Sequence, residues 1–252
     1  MLPATPSFRL DGRTAFVAGA SRGIGLAAAA ALAEAGAAVF LAARSEQDLN
    51  AVCAELRAAG RTVTPIVLDV ADSAAVDAAF AEHGPFDVVV HSVGINRPMP
   101  LVELPDSDLD DMIAVNVRSS FVVSRAAAKC MKQLGRGSII LISSQMGHVG
   151  SPGRTVYSAT KHALEGLTKS LAWEVGADNI RVNTVCPTFI DTELTKPMFE
   201  RPGFLDWVTQ RNALGRVGRV EEVMGAIVFL ASDASSLVTG SSLMLDAGWT
   251  AQ

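Results

Sequence analysis

Tyr157 and Lys161 stand four residues apart in Tyr157-Ser158-Ala159-Thr160-Lys161, at the head of an Ala/Leu-rich stretch. On a helix that spacing puts both side chains on one face, one turn apart. An ammonium beside a phenol favours the phenolate and draws the tyrosine pKa down from about 10 towards working pH. The pair would then form a general acid/base that exchanges a proton with an alcohol or ketone oxygen. Tyr-x-x-x-Lys also arises by chance on solvated helix faces, so the motif takes its meaning from what surrounds it.

A second chemistry-bearing segment lies near the start. Thr14 to Ala18 is a short apolar run with the character of a buried strand. Gly19-Ala20-Ser21-Arg22-Gly23-Ile24-Gly25 follows, then a helical stretch from Leu26 to Ala35 that Gly36 closes. Strand, glycine-rich turn and helix are the ingredients of a dinucleotide site. Glycines let the backbone approach a pyrophosphate, and free amides at the helix start bind the anion. The spacing is Gly-x-x-x-Gly-x-Gly, for which a purely structural turn is the competing reading. No Gly-Lys-Ser/Thr follows, which disfavours a P-loop nucleotidase.

These residues need a scaffold, and the rest of the chain alternates strand and helix patterns. Strands are expected at 38–42, 62–68, 86–91, 138–142, 180–186 and 243–246. Helices are expected at 46–59, 73–82, 107–134, 155–175 and 220–231. Such alternation specifies an α/β fold, a doubly wound parallel sheet of about seven strands flanked by helices. With 252 residues and 49% hydrophobic content, one domain over 1–252 with a large core is expected. A net charge of −5 argues against a nucleic-acid or anionic-membrane partner. Cys53, Cys130 and Cys186 are scattered without metal-ligand spacing, so no metal is expected and buried thiols in a reducing compartment are. Pro3 and Pro6 argue against a signal peptide in the first ten residues. No apolar run approaches the roughly 20 residues of a membrane span. A soluble, cytoplasmic protein is expected.

Taken together, Gly19 to Gly25, Asn116, Ser144 and Tyr157-x-x-x-Lys161 resemble the short-chain dehydrogenase/reductase family. Asp69, Asn183-Thr184-Val185-Cys186-Pro187, Thr192 and Val238-Thr239-Gly240…Asp246 extend the likeness over nearly the whole chain. The resemblance implies a Rossmann fold and an NAD(P)-dependent oxidoreductase interconverting a secondary alcohol and a ketone. By that likeness, Gly19, Ser21, Arg22, Gly23, Ile24, Gly25 and Gly94 line the cofactor, as do Pro187, Thr188 and Ile190. Asp69 and Val70 would contact the adenine, and Thr192 the carboxamide. Ser144 would bond the substrate oxygen while Tyr157 moves the proton. Lys161 would tune the tyrosine and bond the nicotinamide ribose, and Asn116 would hold a water leading from Lys161 to solvent. A homotetramer packing the 107–134 and 155–175 helices in pairs is also implied.

Cofactor choice turns on the end of the second strand, where an acid would bond the ribose hydroxyls and repel a 2′-phosphate. By resemblance that position is Ala43, followed by Arg44 and Ser45, with Arg22 as a further cation. A guanidinium grips phosphate well, so NADP(H) is expected over NAD(H), which remains possible. The chain also departs from the family pattern. His91-Ser92-Val93-Gly94 replaces Asn-Asn-Ala-Gly, Pro187-Thr188 replaces Pro-Gly, and Asp246-Ala247-Gly248 replaces Asp-Gly-Gly. His91 is read as a core residue that ties strands, with a second catalytic base as the alternative.

Substrate contacts are expected from Ser144, Gln145, Met146 and His148, with Asn96, Thr188, Phe189 and Trp207 opposite. Gln145, His148 and Asn96 suit a hydroxylated, polar ketone, whereas Met146, Phe189 and Trp207 suit an apolar or cyclic one. The segment 188–218 breaks the α/β rhythm and matches the family's substrate loop. Phe189 and Trp207 either wall the pocket or anchor that loop. Residues 143–150 and 214–249 most resemble the gluconate 5-dehydrogenase and sugar-alcohol dehydrogenase branch. A 3-oxoacyl thioester reductase is the neighbouring alternative, with Lys129 and Lys132 as a docking patch for an acidic carrier. The alternative of another class is a silent NADP(H)-sensing binding module.

Overall fold

The computed structural model describes residues 2–251. Seven parallel strands form one sheet: β1 (Thr14–Ala18), β2 (Ala38–Ala43), β3 (Val63–Val67), β4 (Val88–His91), β5 (Gly137–Ile142), β6 (Ile180–Pro187) and β7 (Ser242–Leu245). Their order is β3-β2-β1-β4-β5-β6-β7. Chain direction across the sheet reverses between β1 and β4, and such a switch point opens a crevice at the carboxyl ends of the strands. The Gly19 turn leaves β1, and Gly94 lies just beyond β4, so both glycine segments border that crevice.

Both faces of the sheet are covered, which is why its strands read as nearly continuous apolar runs. Alternate residues divide between the faces. Ala15, Val17, Val88, Val90, Ile140 and Ile142 pack with Leu32, Leu49 and Ile227 on one side. Phe16, Ala18, Val89, Ile139 and Leu141 pack with Phe80, Val123, Met131 and Leu164 on the other. Each Val, Leu, Ile, Met or Phe side chain buried there contributes roughly 1.5–3 kcal/mol. The helices of the first face are α1 (Gly23–Glu34), α2 (Glu46–Ala58) and α9 (Glu221–Ala231). Those of the second are α3 (Ser73–His83), α5 (Ser119–Leu134) and α6 (Thr155–Val175). Ser45 caps α2 through the Asp48 amide at 3.3 Å, and Asp72 caps α3 through the Ala74 and Ala75 amides at 2.9 and 3.1 Å.

Two departures from the expected elements bear on function. The first helix begins at Gly23 rather than Leu26, so the glycine turn itself supplies the first helical turn and its free amides. The expected continuous helix over 107–134 is instead α4 (Asp106–Met112), a π-helical turn at Ile113–Arg118 and then α5. The Ser119 hydroxyl bonds back to the Val115 carbonyl. That of Ser120 bonds back to the Asn116 carbonyl at 2.7 Å. Such back-bonding competes with the helix ladder and accommodates the wider turn that carries Asn116. The 188–218 excursion holds two short helices, α7 (Lys196–Phe199) and α8 (Phe204–Thr209). An Ile190–Gly218 bridge pinches it shut at the base.

Candidate active site

The four expected catalytic residues meet at the open end of the crevice. Helix α6 carries Tyr157 and Lys161 on one face, and the Lys161 ammonium lies 5.6 Å from the tyrosine ring centroid. Lys161 is buried and donates to the Ile142 carbonyl at 2.9 Å. The Ser144 hydroxyl donates to Gln145 Oε1 at 2.9 Å and accepts from the Met146 amide at 3.2 Å, and it acts on the nearby Tyr157 phenol against the effect of burial. Asn116 accepts from the Ile95 amide at 2.7 Å, and donates to the Ile95 carbonyl at 2.9 Å and to Thr160 Oγ1 at 3.1 Å. Its side chain therefore clamps the segment after β4 onto α6. A Cβ added at Gly94 would lie 3.4 Å from Asn116 Oδ1 and 3.6 Å from Lys161 Nζ, which fixes Gly94 as the floor beside the tetrad.

The electrostatics differ from the expectation that Lys161 pulls the tyrosine pKa down. Burial holds the Tyr157 phenol above its ordinary value. The groups opposing burial are the Ser144 hydroxyl and the charge of Arg154. Lys161 itself is pushed down to about 8 by burial, against the pull of Cys186 and Glu165. Helical spacing gave the correct face, but it could not register how much water the fold removes from both groups.

Around the glycine turn the residues fit a dinucleotide. Gly23 has φ +57, and a Cβ at Gly25 would meet the Gly19 carbonyl oxygen at 2.0 Å, so the turn closes only with glycine. Ser21 and Ile24 stay partly open, and Thr192 faces Gly23 across the cleft, 3.7 Å from where its Cβ would be. The Asp69 carboxylate bonds the Ala71 amide at 2.9 Å beside buried Val70, just past β3. Pro187, Thr188 and Ile190 lead from β6 into the loop and are buried. Arg22 contacts Glu193 at 3.8 Å. Arg44 is exposed, and no ion pair or side-chain hydrogen bond engages it among the described residues. Ser45 serves as the α2 cap.

The expected substrate residues divide. Asn96 has a buried Oδ1 without a hydrogen-bond partner. Gln145 reaches Thr188 Oγ1 at 3.4 Å. Met146, Tyr157, Phe189 and Trp207 share one apolar cluster with Trp249. Trp207 lies 5.4 Å from Trp249 and 5.6 Å from Phe204, and the Arg211 guanidinium sits 4.3 Å over it. These contacts anchor the loop to the body and place its aromatic side chains in one cluster with Tyr157. His148 is exposed, and its Nε2 lies 3.6 Å from both the Glu165 carboxylate and the Cys186 sulfur. That His–Glu–Cys donor set could hold a divalent ion, a grouping invisible to spacing because three elements supply it. As it stands, Thr184 and Ser242 donate to Glu165 at 3.0 and 2.5 Å, and the Cys186 thiol adds a contact at 3.4 Å.

A family profile described as "Enoyl-(Acyl carrier protein) reductase" matches residues 19–250. The chain is 40% identical over 247 residues to gluconate 5-dehydrogenase of Gluconobacter oxydans, covering 96% of each. The chain belongs to the short-chain dehydrogenase/reductase family. It is an NAD(P)-dependent oxidoreductase. It is also 37% identical to the 3-oxoacyl-[acyl-carrier-protein] reductase of Thermotoga maritima, over 95% of this chain and 98% of that one. A crystal structure of a gluconate 5-dehydrogenase from Burkholderia cenocepacia, in complex with NADP and tartrate, superposes with a TM-score of 0.93. That protein is 37% identical, with 97% of this chain and 98% of that chain covered.

Within this family frame, His91 is a core residue. Its Nε2 bonds Ser119 Oγ at 3.0 Å, tying β4 to α5 rather than to a neighbouring strand, and its Nδ1 has no partner. Burial drives its pKa down to about 3, which removes it as a base. Lys132 is engaged by Asp178 at 3.1 Å, which weakens the expected carrier-docking patch. Sequence reading passed over two residues: Trp249, which closes the aromatic wall from the far end of the chain, and Arg154. The latter is buried one helical turn before Tyr157, a spacing that could have signalled it.

Proposed function

We propose that this enzyme interconverts a hydroxylated secondary alcohol and its ketone using NADP(H). The observation that carries the reading is the Lys161 ammonium 5.6 Å from the Tyr157 ring, with the Ser144 hydroxyl acting on the same phenol, at the mouth of the glycine-lined crevice. In ketone reduction, the Ser144 hydroxyl donates to the substrate oxygen as negative charge grows there. The Tyr157 phenol, whose neutral form burial further favours, delivers the proton. Lys161 places a cation beside that phenol and offers a donor to a ribose hydroxyl. When bound, the nicotinamide supplies the hydride. Met146, Phe189 and Trp249 exclude water from the reacting carbon.

NADP(H) is favoured because the second strand ends in Ala43-Arg44 with no acid to repel a 2′-phosphate, and Arg44 stands free. The NADP complex of the Burkholderia relative supports the same choice. A polyhydroxylated ketone is favoured over an acyl thioester by Asn96, Gln145 and Thr188, three polar groups around an otherwise apolar space. Two gluconate 5-dehydrogenases among the relatives point the same way. Solubility in the cytoplasm and assembly into a homotetramer through α5 and α6 belong to the same proposal. No helix among the described residues is long and apolar enough to cross a membrane.

The test is NADPH consumption, repeated with NADH, across keto-sugar acids, ketoses, cyclic ketones and an acetoacetyl thioester. Turnover on polyhydroxylated ketones, falling about 10²–10⁴-fold in Tyr157→Phe, supports the reading. Arg44→Asp should weaken NADPH while sparing NADH. Turnover that survives Tyr157→Phe, or a preference for the thioester, overturns it. Cofactor binding without turnover on any member makes the sensing module the better account.

A further inference from the structure

Arg154 is a buried cation without an anion. It is 7% exposed, and its Nη1 has no partner. Its Nη2 meets only the Met198 sulfur, at 3.5 Å, and a thioether is a weak acceptor. Phe189 lies under the guanidinium, with 6.0 Å from its ring centroid to the guanidinium carbon. No carboxylate pairs with it among the described residues. The charged or titrating groups that act on it are Tyr157 and a second cation, Arg201. A buried charge without a partner is costly, and replacing buried charged groups by apolar side chains is often neutral or stabilising. Within the chain only the Phe189 ring and the Met198 sulfur act against that cost, and neither is an anion. A ligand anion would complete the pairing at a place one turn before Tyr157 and beside Phe189 and Met198 of the substrate loop.

We propose that Arg154 is an anion subsite of the substrate cleft, and that the substrate carries a carboxylate a few bonds from the carbon that faces Tyr157. The proposal rests on the function given above and narrows it from polyhydroxylated ketones to hydroxy and keto acids. A planar guanidinium fork fits a carboxylate with two parallel hydrogen bonds. The apolar cover strengthens that bond and makes an uncharged substrate leave the same donors unsatisfied. Arg201 adds to the positive field, so a cationic substrate is repelled from the site.

The experiment uses the full, tag-free chain and pairs of compounds that differ only in end charge. These are D-gluconate against D-glucitol with NADP⁺, and 5-keto-D-gluconate against L-sorbose with NADPH. The acid of each pair should have the higher kcat/KM by about 10–100-fold, the worth of a hydrogen bond to a charged group. Arg154→Met should bring that ratio close to one, whereas Arg154→Lys should keep part of it. Binding of gluconate to the NADP⁺-loaded enzyme, read by tryptophan fluorescence, should weaken in Arg154→Met in the same proportion. Ligand-free Arg154→Met should melt no lower than the wild type, because an unpaired buried charge has gone; a clear drop would assign Arg154 a structural role and overturn the proposal. So would equal handling of acid and neutral partners, or a preference that survives in Arg154→Met. Arg154-dependent gluconate binding without turnover of any pair would keep the subsite and sink the proposed reaction, so the two failures are separable.

Discussion

At the scale of single residues, burial decides more of the chemistry than proximity does. Tyr157 is held above its ordinary pKa by desolvation, so the free enzyme carries a neutral phenol at physiological pH. Ketone reduction uses that protonated form and should persist across neutral pH. Alcohol oxidation needs the phenolate and should climb as pH rises into the alkaline range. Profiles of kcat/KM against pH in both directions test this, and an oxidation profile flat above neutrality would refute it. His91 gives a second test. Its folded pKa of about 3 lies below the ordinary 6.5, so the unfolded chain binds the extra proton between those values. Stability contributed by neutral His91 is complete above about 6.5 and is lost as pH falls towards 3. His91→Asn removes that term, so the melting-temperature gap between wild type and variant should be wider at pH 7.5 than at pH 5.

At the scale of elements, the glycines separate structural need from ligand need. A Cβ at Gly25 would strike the Gly19 carbonyl, so that turn requires glycine to fold at all. A Cβ at Gly94 would meet nothing closer than 3.4 Å, so the protein itself has room for alanine there. Gly94→Ala should melt within a few degrees of the wild type yet bind NADPH more weakly by about tenfold or more, the scale on which overpacking a close contact is felt. Equal losses of stability and affinity would mean that Gly94 serves the fold rather than the cofactor. The π-helical turn at Ile113–Arg118 belongs to this scale as well. The apolar and polar pattern of 107–134 reads as one helix, and the extra residue per turn depends on serine back-bonding and on the packing of Asn116 against Ile95 and Thr160.

Across the whole molecule, several large apolar side chains lie on the surface. Trp173 on α6 is 91% exposed and Phe121 on α5 is 49% exposed, and Val102 and Leu237 are also bare. Large exposed aromatics on the two helices expected to pair are a cause for association. Light scattering on the eluting protein should give a tetramer mass, and Trp173→Glu should shift it to a smaller species. A wild-type mass equal to one chain would remove the oligomer from the account.

The sequence by itself determined what depends on near neighbours and on periodicity. Strand and helix alternation specified the doubly wound sheet, the glycine turn marked the crevice, and four-residue spacing put Tyr157 and Lys161 on one face. These are legible because each is encoded within one or two turns of chain. The tertiary structure decided what depends on who surrounds whom. It joined His148, Glu165 and Cys186 from three elements and brought Trp249 over Phe189. It buried Arg154 one turn before Tyr157 and left it without a carboxylate partner among the described residues. Solvation and pairing of a charge are properties of a volume, and segments far apart in the chain fill that volume only when it folds.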